Sequence, residues 1–194
     1  FGLDALVLLK DRNHRGVFLT VALFSIPLAA FYPQTPPHLK DLGLVRTSAW
    51  MSLGQISEVI VMLGLGALIV RWRLKWIFAA GLASGAIRFS LAAVDQLGWV
   101  VAGISLHGLS YALVFITAQI YLDGRVDPAW RARAQALLFL MTSGVGNFIG
   151  YIGTGAWQRA CEAGGVTRWS VFWAGCAAAV AAVLVFFVAS YRGL

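Results

Sequence analysis

Six apolar runs, each close to the length of a bilayer crossing, leave this chain few ways to fold. They are Gly16–Tyr32, Ser48–Val70, Trp76–Val94, Trp99–Leu122, Ala134–Trp157 and Trp169–Tyr191. A helix of about 20 apolar residues crosses the hydrocarbon core. The chain is 60% hydrophobic and 12% charged, with a mean hydropathy of +0.79, well above a soluble domain. The sequence therefore predicts an all-α integral membrane protein with six transmembrane helices. Residues 16–194 form the bundle, and residues 1–15 are an amphipathic segment or linker on the cytoplasmic side. Trp76, Trp99, Trp157, Trp169 and Tyr191 fall at span ends, where interfacial aromatic belts lie.

Lys and Arg set the orientation. One side of the membrane collects ten of the 15 basic residues, in clusters at Lys10–Arg15, Arg71–Lys75 and Arg125–Arg133 and at Arg192. The other side has four, Lys40, Arg46, Arg159 and Arg168, and Arg88 lies within a span. The excess of positive charge marks the inside, so both termini are expected in the cytoplasm of a multi-pass protein of the cytoplasmic (inner) membrane. The net charge of +7 is then accounted for by topology and by an anionic lipid bilayer. It does not point to nucleic acid, because no basic aromatic patch falls on a soluble element.

Between the spans, Pro33, Pro36 and Pro37, with Pro27 just before them, predict a rigid outer connection over Pro33–Arg46. Pro128 begins a helix after a basic inner loop. In the fifth span Gly146, Gly150 and Gly153 share a helical face and suit close approach of a neighbouring helix. The last span carries no charge and reads as a peripheral support. Cys161 and Cys176 give no disulfide framework. The chain starts with Phe1, shows no signal peptide and reads as part of a longer frame.

Chemistry is expected where polar groups interrupt the apolar runs. Glu58 sits mid-span, where a charge costs about 3 kcal/mol on insertion scales and normally faces a bundle interior or cavity. With Ser48, Ser52 and Gln55 it forms a polar stripe over about a third of the helix circumference. Arg88 is its candidate partner, reaching either inward to Glu58 or outward to Asp95. His107, Ser110 and Tyr111 share a face of the fourth span; imidazole can relay protons and the phenol ring can stack on a base or sugar. Gln119 and Asn147 read as interhelical hydrogen-bonding residues. No metal-ligand spacing, phosphate-binding loop or nucleophile–base pair is present, so neither a metal, a cofactor nor an enzyme activity is expected.

Several segments together resemble a known family. FGLDALVLLK at the start, SLGQISE (Ser52–Glu58), IRFSL around Arg88, HGLSYALVF (His107–Phe115) and RARAQALLFLMTSGVGNFIG (Arg131–Gly150) are similar to the C-terminal half of a major facilitator superfamily transporter. More narrowly, they resemble the nucleoside:proton symporters. The resemblance implies a partner bundle of six helices upstream of Phe1. It implies that Gln55 and Glu58 bind the nucleoside, with Glu58 also coupling the proton. Arg88 would lie near the cavity, and His107 and Tyr111 would flank the substrate. Two departures stand out. The stretch Ile26–Phe31 lacks the polar side chains of relatives, and Ala112 stands where some carry an acid.

The expected function is secondary active, proton-coupled import of a small polar substrate, with a nucleoside favoured. The alternatives are transport of a sugar or another small polar metabolite, or a stand-alone six-span interaction subunit.

Overall fold

A computed structural model describes residues 3–191; the expectations for Phe1, Gly2 and Arg192 lie outside the described residues. Lipid offers the backbone no hydrogen-bonding partner, so helices that satisfy themselves are the outcome of long apolar runs. Among the described residues six helices are long and apolar enough to cross a membrane: α1 (Arg12–Asp41), α2 (Thr47–Arg71), α3 (Leu74–Ala93), α4 (Leu97–Arg125), α5 (Pro128–Ala160) and α6 (Trp169–Ser190). A 3-10 helix, Leu3–Lys10, precedes them, with Ala5 buried and Leu6 and Val7 exposed. α1 starts where the Asp11 carboxylate accepts from the backbone N–H groups of Asn13 and His14, at 2.9 and 2.8 Å.

The proline-rich connection is not a loop. α1 breaks at Ala29–Ala30 and resumes as a helical limb over Phe31–Asp41 with Pro36 and Pro37 inside it. Pro33 falls in the first turn of that limb, where backbone N–H groups lack helical partners in any case. The prolines therefore bend α1 rather than end it. The limb stops at Gly43, whose φ of 86° only glycine adopts freely. There the N–H groups of Gly43 and Leu44 close on the carbonyls of Lys40 and Leu39.

The main core joins Phe18 and Phe24 of α1, Phe78, Leu82 and Phe89 of α3, Leu122 of α4, and Phe172, Trp173 and Phe187 of α6. The last helix is thus central to the packing, not peripheral, because its aromatic face fills the space between α1 and α3. Trp169 and Tyr191 also belong to this core, at 4% and 3% exposure, rather than to an interfacial belt. Trp76, Trp99 and Trp157 are exposed as the belt requires. α2 and α5 are the least covered spans, with 11% and 28% of their apolar stretches buried.

At one end of the bundle, three helices are clasped by a polar knot. The indole N–H of Trp173 donates to His38 Nδ1 at 2.9 Å, and His38 Nε2 donates to Asp95 Oδ1 at 2.8 Å. Trp169 stacks on the His38 ring and donates to Asp41 Oδ2 at 2.8 Å. Asp95 takes a left-handed φ of 59°, which a short acid tolerates, to end α3 facing His38. Between α5 and α6, β1 (Glu162–Ala163) and β2 (Val166–Thr167) form a hairpin through Gly164–Gly165, both at positive φ.

Candidate functional site

Four helices surround a cavity of about 380 Å³. Glu58 from α2 is the one charged side chain among its described lining residues. The closeness of α2 to α4 at this point has a simple cause. A Cβ on Gly108 would collide with the backbone of Ser57 and Glu58, so glycine lets the two helices touch. The Gly108 N–H then donates to Ser57 Oγ at 3.1 Å, and Ser57 Oγ donates to the Gly54 carbonyl at 2.8 Å. Glu58 is pinned next to α4 by this crossing.

Two i+4 series supply most of the wall. His107, Tyr111, Phe115 and Gln119 line the cavity from α4, and Phe139, Ser143, Asn147 and Tyr151 from α5. In a regular α-helix four residues turn through about 400°, so such a series drifts by about 40° per step and leaves one face within three steps. Both helices counter the drift with π-helical turns, Ala112–Ile116 in α4 and Leu140–Gly146 in α5. A π turn closes i→i+5 rather than i→i+4 and advances less per residue, which brings the series back into line. On the α4 side the wall is aromatic: Tyr111 stacks on Phe115 with centroids 4.8 Å apart, and His107 stacks on Phe31 at 4.2 Å. On the α5 side it is polar, with Thr142, Ser143, Asn147 and Gln135. Gln135 donates to the Gln119 backbone carbonyl at 2.9 Å and ties the two helices together.

α1 closes the cavity with Ser25, Leu28, Ala29 and Tyr32. It lies close against α5 because Gly146 and Gly150 leave room for Ser25, Ile26 and Ala29. Gly153, expected on the same seam, has nothing within 4 Å of where its Cβ would be. Gly153 instead lines an open groove with Ile26 and Pro27 of α1 and Gly175 and Cys176 of α6.

The expected site residues take different places. Glu58, His107 and Tyr111 meet at the cavity. Gln55 does not line it: three residues from Glu58 it is rotated by about 60° around α2 and is exposed, as is Ser52. Arg88 reaches neither Glu58 nor Asp95. It is 2% exposed and lies behind His107, with its guanidinium 2.6 Å from His107 Nδ1 and 3.4 Å from Ser110 Oγ. Its carbon sits over the rings of Phe31 and Phe89, at 4.3 and 4.6 Å. The carboxylate of Asp95 is taken by His38 instead. Gln119 and Asn147 face the cavity, and no side-chain bond of either to another helix occurs among the described residues. Sequence reasoning missed Phe115, Gln135, Ser143 and Tyr151, although the repeated spacing of four was there to find.

Comparison with known proteins matches this architecture. The family model described as "Nucleoside H+ symporter" matches residues 1–193. A putative nucleoside transporter, YegT, of Escherichia coli is 34% identical over 98% of this chain and 48% of its own length. The nucleoside permease NupG of the same organism is 26% identical over 89% of the chain and 45% of its length. Two crystal structures of NupG superpose with TM-scores of 0.84 and 0.80 at 24% and 23% identity, covering 51% of that chain each. This chain spans about half the length of the curated relatives it matches.

Proposed function

Because the chain belongs to the nucleoside H+ symporter family, we propose that it is the C-terminal six-helix half of a transporter importing nucleosides with protons. The observation that carries this reading is the cavity, in which one carboxylate, Glu58, faces an aromatic wall on one side and amides and hydroxyls on the other. A base stacks on rings such as Tyr111 and Phe115, while a ribose needs polar partners such as Asn147 and Ser143. The named functions of YegT and NupG support the same substrate class.

In this reading a second six-helix half covers the sparsely buried faces of α2 and α5, where Ile56, Val59, Phe148 and Ile152 are exposed. Substrate binds between the halves near the midplane, and rocking of one against the other gives alternating access. Gln55, on the exposed side of α2, contributes from that junction. Glu58, His107 and Tyr111 contact the substrate, and Arg88 acts from behind His107. Protonation of Glu58 removes a charge that is costly to occlude, which permits the closed state; deprotonation towards the cytoplasm resets it. The excess of basic residues on one side supports an orientation with both termini in the cytoplasm of the inner membrane.

The test is uptake of labelled uridine and adenosine by vesicles holding the full-length protein, with and without an inward proton gradient and against competing sugars. Gradient-driven accumulation that sugars leave untouched is the expected result, and Glu58→Gln is expected to abolish uphill uptake. Accumulation unchanged by Glu58→Gln would overturn the coupling role. Inhibition by sugars rather than nucleosides would move the substrate class.

A further inference from the structure

His107 stands at the cavity wall with both of its ring nitrogens accounted for differently. Nδ1 is 2.6 Å from an Arg88 nitrogen, and a guanidinium can only donate, so Nδ1 must accept and carries no proton. The ring's one remaining proton then belongs on Nε2. No partner takes Nε2 among the described residues, and His107 lines the cavity. The ring cannot easily turn away, since it is stacked on Phe31 at 4.2 Å with an interplanar angle of 14°. Its carbons also lie against Gly54 of α2.

We propose that Arg88 is a positioning residue that holds His107 as a neutral imidazole with its Nε2–H fixed towards the cavity, a donor for a carbonyl or ring-nitrogen acceptor on the substrate. The inference rests on the transport reading for its substrate and goes beyond it for the role of the pair. It separates two tasks that a histidine and a carboxylate in one cavity would otherwise share. Glu58 exchanges protons, and His107 keeps the same protonation state through the cycle.

The surroundings support this division. The groups facing the pair are Tyr32 from α1, Glu58 from α2, Tyr111 from α4 itself and Cys176 from α6. Among the described residues no carboxylate oxygen lies within 4 Å of a His107 nitrogen, so the Glu58 carboxylate shares the cavity without pairing with the ring, whereas Arg88 touches it. The neighbouring cation opposes imidazolium. An isolated imidazole titrates near pH 6.5, inside the range a proton-driven transporter meets. Arg88 removes that sensitivity from the substrate-facing wall.

The experiment reads the histidine directly and needs no substrate. Nitrogen-15 histidine spectra of the full-length protein, with the His107 signal assigned by its loss in His107→Phe, report tautomer and titration from pH 5 to 8. The expected result is a neutral Nε2–H tautomer that does not titrate in the wild type. In Arg88→Met it titrates within that range, and in Arg88→Lys, which keeps a donor cation, it does not. A wild-type His107 that titrates between pH 5 and 8, or carries its proton on Nδ1, would overturn the proposal. So would Arg88→Met leaving the titration unchanged in folded protein. Uridine binding forms the second arm: His107→Phe, which keeps the stack on Phe31, is expected to weaken it about 3- to 10-fold, the worth of one neutral hydrogen bond. Unchanged affinity would refute the donor role. Failure of the wild type to bind uridine would count against the transport reading, while the spectra still decide the Arg88–His107 pair.

Discussion

Replacing Gly108 with Ala adds one methyl group at the crossing of α4 and α2, where there is no room for it. The new Cβ would fall on backbone atoms of Ser57 and Glu58, and backbone cannot swing aside as a side chain can. The helices must part, and the 3.1 Å bond from the Gly108 N–H to Ser57 Oγ goes with them. Overpacking of this kind costs about 1–3 kcal/mol. The lost bond adds about 0.5–1.5 kcal/mol. Against that, Ala gains up to ~1 kcal/mol over Gly in helix propensity. The net is a loss of roughly 2 kcal/mol, or a melting point lowered by about 4–8 °C for a unit of this size. The control is Gly66→Ala on α2, where nothing lies within 4 Å of the new methyl and only the propensity gain remains. Thermal melts in detergent, followed by the monodisperse fraction on size exclusion, separate the two. If Gly108→Ala melts with Gly66→Ala or above it, the close crossing of α2 and α4 is wrong.

Gly150→Val is expected to disrupt the seam between α1 and α5, since its Cβ would stand 2.6 Å from that of Ala29, whereas Gly153→Val meets open space and should be tolerated. Equal melting points for the two variants would contradict the observed seam. His38→Phe leaves the buried Trp173 N–H without an acceptor, at a cost of about 1–3 kcal/mol. In a double-mutant cycle with Trp173→Phe the two losses should be strongly non-additive, and simple additivity would remove the bond. Burial pushes the Cys161 thiol up from its ordinary pKa, with Arg168 partly opposing, so less of it is thiolate near neutral pH. Cys161 and Cys176, both buried, should label with maleimide only as the protein unfolds; fast labelling in the cold would refute their burial.

The six spans were legible in the sequence because hydropathy over about 20 residues is a property of composition, and lipid leaves such a run one solution. What composition cannot report is the surface against which each side chain lands. Trp169 and Tyr191 have the amphipathic rings of a membrane belt, yet α6 turns them into the core. Pro33, Pro36 and Pro37 carry a breaker signal, but α1 is only interrupted at Ala29–Ala30, and the helix resumes through them. Glu58 was visible as a lone charge in an apolar run, and it does face the cavity. Gln55 shares its stripe in a helical projection but not its environment, since a rotation of about 60° is enough to leave the wall. Arg88 was read by its charge as a partner for a carboxylate, whereas its nearest acceptor is a neutral nitrogen held by stacking. That pairing joins residues 19 apart through the packing of two helices, and no local pattern announces it.

The two wide turns beside the cavity mean that its shape depends on counting as well as on chemistry. Ala112–Ile116 and Leu140–Gly146 each act as a phase corrector, setting the half of the helix beyond them in rotation relative to the half before. Removing a single residue from either, say Val114, would restore regular winding yet keep Gln119 near the line of Tyr111, since the seven residues then separating them turn through about 700°. The lining beyond such a turn can therefore survive the loss of one small apolar residue there, whereas the same deletion in a regular stretch of either helix would turn the lining by about 100°. These turns are where the scaffold can absorb a change of one residue in length and keep the same pocket lining.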